Sequence, residues 1–330
     1  MKVLITGGAG YIGSLLTGVL LQRGYKVIVV DDLLFGGDSL LAYITHPDFS
    51  FHKANVTEKE TVRAHFEDVD FVIHLAAIVG FPACQQVGPQ FAWLYNFQAT
   101  KNVYELAREH NVKRFVFAST YSNYGIAEGD APVSEDSPLN PQSLYAETKI
   151  ASEKYLLEEG KSSSTIPVLF RFATLFGLSP RTRFDLIINQ FVLEAIEKRH
   201  LIIYQKNYNR SFVHIRDIAK ALTMALESDI AKVGNQVFNV GSSRGNYSKE
   251  ELIGMITKYV PGITIEYKDL SFGGDMRDIK VSFDKIERVL GYKAEVSVEQ
   301  GIQELANAIQ SKFLFDPHSL RNRNAQFIVQ

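Results

Sequence analysis

The sequence predicts a doubly wound parallel α/β sheet with a smaller C-terminal α/β lobe, and three observations lead there. Short runs rich in β-branched residues alternate with longer amphipathic stretches through the first half of the chain, as strand–helix–strand units do. Those runs are continuously apolar rather than alternating, which fits strands covered by helices on both faces. A glycine-rich turn joins the first run to the first helical stretch.

In chain order, Val3–Thr6, Lys26–Val30, Phe49–Lys53, Phe71–Leu75, Arg114–Ser119 and Pro167–Phe172 read as buried strands. Helical patterns over Ile12–Arg23, Glu58–Phe66 and Ala92–Glu109 lie between them. After a helix over Ile215–Glu227, Gln236–Val240 returns one more strand to the sheet. Residues 1–175 with about 209–241 are therefore expected to form the larger unit, and about 176–208 with 242–330 the smaller lobe. Lys161–Thr165 is a polar surface loop, and there is no internal repeat. The tail after Phe315 is read as a frayed terminus, or as a segment docked through Phe327, Ile328 and Val329.

Composition narrows the class. A chain of 330 residues, 46% hydrophobic and 22% charged, has enough material for a full core. A net charge of −2 without a basic block gives no footprint for nucleic acid. No apolar run approaches the roughly 18 residues of a membrane span. The single cysteine, Cys84, excludes internal disulfides and thiolate-rich metal sites, and the eight histidines lack metal-ligand spacing. A cytoplasmic protein without a metal is expected.

The turn Thr6-Gly7-Gly8-Ala9-Gly10-Tyr11-Ile12-Gly13 follows a strand and opens a helix. Glycines let the backbone turn tightly and approach a diphosphate, and the helix start offers unpaired N–H groups and a positive dipole end. Gly13 lets that helix pack close to the strand. Asp31, in Val29-Val30-Asp31-Asp32, ends the second strand about twenty residues further on. A carboxylate there accepts hydrogen bonds from ribose hydroxyls and repels a 2′-phosphate, so the Rossmann-type site favours NAD over NADP.

Tyr145 and Lys149 are four residues apart, on one helical face. A phenol with a pKa of about 10 is a poor base at neutral pH, and a nearby ammonium favours its ionised form. Such pairs are common in isolation. What raises this one is Phe117-Ala118-Ser119-Thr120 at the end of a preceding strand, where a hydroxyl can meet the tyrosine and a substrate oxygen.

Taken with His74-Leu75-Ala76-Ala77, Asn96, Tyr124-Gly125 and Arg210-Ser-Phe-Val-His214, in this order, these motifs make the chain resemble an extended short-chain dehydrogenase/reductase of the nucleotide-sugar epimerase/dehydratase family. The similarity spans about residues 1–310. The resemblance implies that Thr120 orients and polarises a sugar oxygen, while Tyr145 removes or returns its proton. Lys149 tunes Tyr145 and binds ribose, as hydride passes between sugar C4 and the nicotinamide. It implies a cofactor site of Gly7, Gly10, Tyr11, Ile12, Gly13, Asp31, Asp32, Asn55, Val56, Leu75, Ala76, Ala77, Asn96, Ser119, Tyr145, Lys149 and Phe172. Asn55 and Val56 border the adenine, and the alanines leave room in the groove. For the nucleotide-diphosphate sugar it implies Thr120, Ser122, Asn123, Thr174, Arg181, Arg183, Asn189, Arg210 and Arg277, with Arg210 and Arg277 gripping the diphosphate. His74 and His214 have structural roles in this reading, and Cys84 is a bystander thiol. A homodimer is expected through helices carrying Trp93, Tyr95, Phe97, Leu156 and Leu157, residues that equally suit a core.

The chain also departs from that family's patterns. Its 4,6-dehydratases carry an acid within two positions after the catalytic threonine, whereas Tyr121 and Ser122 stand here, which disfavours dehydration. Its epimerases commonly have an asparagine after the sixth strand, whereas this chain reads Phe172-Ala173-Thr174-Leu175. Ser179–Leu186 with Asn189 resembles a branch acting at C4 of GDP-activated heptoses, and residues 323–327 echo it. Epimerisation, net 4-dehydrogenation or 4-reduction, reduction of a small carbonyl compound, and a non-catalytic NAD-binding regulator all remain open at this point.

Overall fold

Seven strands form one parallel sheet in the computed structural model, which describes residues 1–126, 131–269, 279–314 and 316–324. They are β1 (Lys2–Thr6), β2 (Lys26–Asp31), β3 (Phe49–Lys53), β4 (Phe71–His74), β5 (Arg114–Thr120) and β6 (Ile166–Phe172). After β7 (Thr174–Phe176), β8 (His200–Tyr204) and β9 (Asn209–His214) comes β10 (Gln236–Val240), the seventh. The order β10-β6-β5-β4-β1-β2-β3 reverses direction between β1 and β4. That reversal opens a crevice at the carboxyl ends of the two strands, where such sheets hold ligands.

Burial explains the apolar runs. Every residue of β4 and β5 is buried, whereas β3, with one strand neighbour, is half-exposed. Val3, Ile5, Leu16, Leu20, Val29, Ile73, Ile218 and Leu222 pack on one face of the sheet. Leu4, Val30, Val72, Val103, Leu106, Phe115 and Phe117 pack on the other.

The remaining strands build the smaller lobe. β7, β9 and β11 (Asn246–Ser248) make a three-stranded sheet, and β12 (Thr264–Lys268) pairs in parallel with β8. A separate core of Phe176, Phe184, Ile188, Ile203, Phe212, Leu252 and Ile302 holds this lobe together. The chain crosses between the two cores more often than boundaries at residues 209 and 242 describe. β9 belongs to the small sheet, while Ile279, Val281, Phe283, Ile286 and Tyr292 return to the larger core.

The stretch expected as one helix over Ala92–Glu109 is the end of a longer, interrupted one. A helix over Phe81–Trp93 is broken at Gly88 (φ +81°) and Pro89, runs into a π-helical turn over Leu94–Gln98, and continues as Ala99–Glu109. Proline supplies no N–H to that ladder, and glycine absorbs the positive φ.

Beneath the carboxyl ends of β5 and β6 lies a sealed polar cluster. Glu153, on the helix Leu144–Gly160, pairs with Arg171 of β6 at 2.6 Å, with side-chain exposures of 2% and 5%. The Glu153 carboxylate also accepts from Asn123 Nδ2 at 2.8 Å and from the Ser119 hydroxyl. Arg171 donates to the Tyr124 hydroxyl at 2.9 Å, which donates to Asn239 at 2.7 Å. Removing one partner of a buried pair leaves the other charge uncompensated, at a cost of roughly 3–5 kcal/mol. Glu153→Gln is therefore expected to lose roughly that much stability in urea unfolding at neutral pH. A loss below about 1 kcal/mol would mean that the pair does not hold the strand ends together.

Candidate active site

The crevice between β1 and β4 widens into a cleft of about 650 Å³. Its floor is backbone. Gly7 has φ +72°, and a Cβ there would lie 2.7 Å from the Ala76 nitrogen; a Cβ on Gly13 would lie 2.5 Å from the Gly8 Cα. Only glycines let the turn, the end of β4 and the helix Tyr11–Gln22 come this close. That helix starts without a side-chain cap and without an acid in its first turn. Its free N–H groups and dipole therefore face the cleft unneutralised, which fits a diphosphate.

Asp31 stands at one end. It accepts from the backbone N–H groups of Ala9 (3.0 Å) and Leu33 (2.8 Å) and lines the cleft with Asp32. Burial pushes its carboxyl pKa up, and the two backbone hydrogen bonds pull against that.

Thr120, Tyr145 and Lys149 line the cleft together with Ser119 and Ser122. Thr120 caps the short turn Tyr121–Tyr124: its hydroxyl accepts from the Ser122 N–H and donates to the Ser122 hydroxyl, both at 3.1 Å. Ser143 caps the helix Leu144–Gly160, whose one-turn spacing directs both Tyr145 and Lys149 to the cleft. Lys149 Nζ donates to the Ala118 carbonyl at 2.9 Å and lies 4.6 Å from the Phe117 ring centroid. Burial pulls the Lys149 pKa down to about 8, against the Cys84 thiol and Glu153 carboxylate, which favour its charged form. Burial likewise pushes the Cys84 thiol up to about 11. It holds His74 down at about 3, so that ring is neutral between the hydroxyls of Thr6 (2.7 Å) and Thr100 (3.1 Å).

Of the other residues expected from the sequence, Gly10, Tyr11, Ile12, Val56, Leu75, Ala76, Ala77, Phe172, Thr174, Arg181 and Arg183 also line the cleft. Five described ones do not line it. Asn55 bonds the Tyr95 hydroxyl (3.2 Å) and the Thr57 N–H (3.0 Å). Asn96, in the π-helical turn, brackets the backbone of Ile78 (2.8 and 3.0 Å) and donates to Thr148 (3.1 Å). It thereby ties the loop after β4 to the Tyr145 helix. Asn123 belongs to the Glu153 cluster. Asn189 clamps Gly177 and the Arg183 carbonyl. Arg210 is buried on β9 and donates to the Asn209 carbonyl at 3.0 Å. Arg277 lies outside the described residues.

Sequence reasoning passed over several cleft residues. Phe35, Val79 and Phe91 line it without any motif to mark them, whereas Leu186 and Asn324 line it from the Ser179–Leu186 and 323–327 patterns without having been assigned to the site. Glu153 was findable, because it stands one further turn along the face of Tyr145 and Lys149. Among the described residues no cluster of His, Cys, Asp and Glu could hold a metal, and no helix is long and apolar enough to cross a membrane.

Fold and site together define a dinucleotide-binding α/β enzyme with a tyrosine–lysine pair at the carboxyl edge of its sheet. The pattern of the NAD dependent epimerase/dehydratase family matches residues 3–241, and the chain belongs to that family. Its cofactor is NAD. It is 30% identical to a UDP-glucose 4-epimerase of Streptococcus mutans, over 89% of this chain and 92% of that one. With a UDP-glucose 4-epimerase of Bacillus subtilis the identity is 28%, over 91% and 94%. A solved UDP-glucuronic acid 4-epimerase of Bacillus cereus, in complex with UDP-glucuronic acid and NAD, superposes with a TM-score of 0.84 at 25% identity. The overlap covers 94% of this chain and all of that one.

Lys149 yields a prediction with a definite sign. Its folded pKa of about 8 lies below the ordinary lysine value near 10.4, so the unfolded chain binds more protons between those pH values. Stability lost to burying the ammonium below pH 8 is recovered as pH rises. Relative to Lys149→Met, the wild-type protein is therefore expected to gain on the order of 2–3 kcal/mol between pH 7 and pH 10 in guanidinium unfolding. A difference that stays flat across that range would contradict the depressed pKa.

Proposed function

We propose that the protein oxidises C4 of a nucleotide-diphosphate sugar reversibly, through a 4-keto species, and returns it as the C4 epimer. What carries this reading is the convergence of Thr120, Tyr145 and Lys149 in the same cleft as the glycine turn and Asp31. NAD, when bound, supplies the hydride acceptor and donor. Thr120 orients the sugar hydroxyl, and its bonds to Ser122 fix its own rotamer. Tyr145 removes the hydroxyl proton and later returns it. Lys149, held by the Ala118 carbonyl, keeps positive charge beside the phenol and favours its ionised form.

Dehydration is the weaker reading. Tyr121 is engaged with Thr174 at 2.8 Å, and no carboxylate occupies either position after Thr120. The expectation of a homodimer is supported by exposed Trp93, flanked by exposed Phe81 and Leu94, on the segment that packs beside the Tyr145 helix, whereas Leu156, offered to the same interface, is buried in the core. One buried thiol suits a reducing, cytoplasmic setting.

Near-UV absorbance of reduced nicotinamide, with UDP-, GDP-, CDP- and dTDP-sugars and excess NAD, tests the reaction. GDP-heptoses belong in the panel because of the Ser179–Asn189 pattern. Epimerisation predicts an isomeric sugar with a rise no larger than the enzyme concentration. A rise far above it would instead make the protein a net 4-dehydrogenase. Tyr145→Phe is expected to lower turnover by roughly 10²–10⁴-fold, and activity within about tenfold of wild type would remove Tyr145 from the acid–base role.

A further inference from the structure

The loop after β7 and the far end of the chain meet at one end of the cleft. That loop is fastened to the phosphate-binding turn. The Tyr11 hydroxyl donates to the Gly177 carbonyl (2.7 Å), the Ser179 hydroxyl donates to the Tyr11 carbonyl (2.6 Å), and the Ser14 and Ser179 hydroxyls lie 3.1 Å apart. This fastening sets Arg181 next to the turn. Its guanidinium carbon lies 3.9 Å from the Phe35 ring centroid, just beyond Asp31. Arg181 is 6% exposed, and burial lowers its pKa to about 10, which leaves it charged at neutral pH.

Its remaining contacts come from about 140 positions further along the chain. Arg181 Nε donates to the Arg321 carbonyl at 2.8 Å and Nη2 donates to Asn324 Oδ1 at 2.9 Å. Nη1 has no protein partner among the described residues. The same C-terminal segment binds the loop again, through Phe184 N–H to the Asn322 carbonyl (2.8 Å) and Asn324 N–H to Asp185 (2.9 Å). At its two ends His318 reaches Glu197 at 2.6 Å, and Arg321 pairs with Asp38 beyond β2. Residues 316–324 thus run from the small lobe to the loop after β2, and Asn324 lines the cleft beside Arg181.

We infer that Arg181 is a ligand of the cofactor's diphosphate rather than of the sugar nucleotide, and that the C-terminal segment is a strap that aims it there and slows cofactor release. The inference rests on NAD occupying the cleft. A guanidinium matches phosphate geometry, and stacking on an aromatic ring fixes its plane. Its neighbours are the glycine turn, Phe35 and Asp31, on the β1–β2 side of the crevice. Thr120, Tyr145 and Lys149 come from β5 and its following helix, on the other side. A cofactor that leaves slowly suits an enzyme that must return the hydride to the same sugar, and it would hinder one that exchanges cofactor at every turnover.

The test uses the full chain, Arg181→Met, and a chain ending at Leu314. Each is loaded with NADH and chased with excess NAD while the loss of bound-NADH fluorescence is followed. UDP and GDP affinities are measured in parallel by calorimetry. Both variants are expected to release NADH at least about tenfold faster than wild type, with nucleoside diphosphate affinity within about twofold. If the shortened chain does not fold by circular dichroism, Asn324→Ala replaces it, since it removes one of the two contacts that hold Arg181. Wild-type release from Arg181→Met, with weakened UDP or GDP binding, would return Arg181 to the substrate and overturn the inference. Wild-type release from the shortened chain would overturn the strap. A full chain that binds no NADH at all would instead overturn the reading on which the inference rests.

Discussion

The Glu153 carboxylate is the buried charge around which the cleft edge carrying Thr120, Tyr145 and Lys149 is arranged. It is the common acceptor for Arg171 at the end of β6, for Ser119 at the end of β5, and for Asn123 in the turn that Thr120 caps. It also stands on the helix that carries Tyr145 and Lys149. Three stretches of the chain, around residues 119–123, 153 and 171, are therefore tied to a single group. A buried carboxylate is costly unless its oxygens are filled, so each donor is held where that carboxylate needs it. The hydroxyl of Thr120, the phenol of Tyr145 and the ammonium of Lys149 inherit their positions from this cluster.

The same burial shapes the electrostatics above it. Lys149 is taken out of water, which weakens its hold on a proton, and it keeps its charge through the Ala118 carbonyl, the Phe117 ring face and the field of Glu153. An ammonium in these surroundings acts on a neighbouring phenol with little screening by solvent. His74 and Cys84, close by, are kept neutral by the same desolvation and satisfied by hydrogen bonds. Of these three buried groups, Lys149 alone carries charge at neutral pH.

Different devices fix the segments on the two sides of the cleft. On the side of Tyr145, the Asn96 carbonyl in the π-helical turn accepts from the hydroxyls of Thr100 (2.6 Å) and Ser152 (3.1 Å), while its amide brackets Ile78. On the other side, the 177–185 loop is bonded to the glycine turn, and the C-terminal segment is bonded to that loop. Both devices work by satisfying backbone groups that the regular elements leave open.

The sequence alone determined the doubly wound sheet, because continuous apolar strands and a strand–glycine–helix turn are local patterns with local causes. It also singled out the glycine turn with Asp31 and the Tyr145–Lys149 pair, since both depend on spacing within one turn or one helix, and these residues line one cleft. His74 could be read as structural for the same reason, being an isolated ring on a buried strand. The Glu153–Arg171 pair, the clamp of Asn96 on Ile78 and the meeting of Arg181 with Asn324 were decided only by the tertiary structure. Each joins residues between 18 and 143 positions apart, and nothing in a local pattern records which distant donor will fill a buried acceptor. The route of the chain between its two cores belongs with them. β9 and residues 279–292 are apolar enough for either core; pairing with β7 and β11 assigned β9 to the small sheet, and packing of the helix Asp284–Leu290 and its flanks assigned 279–292 to the larger core.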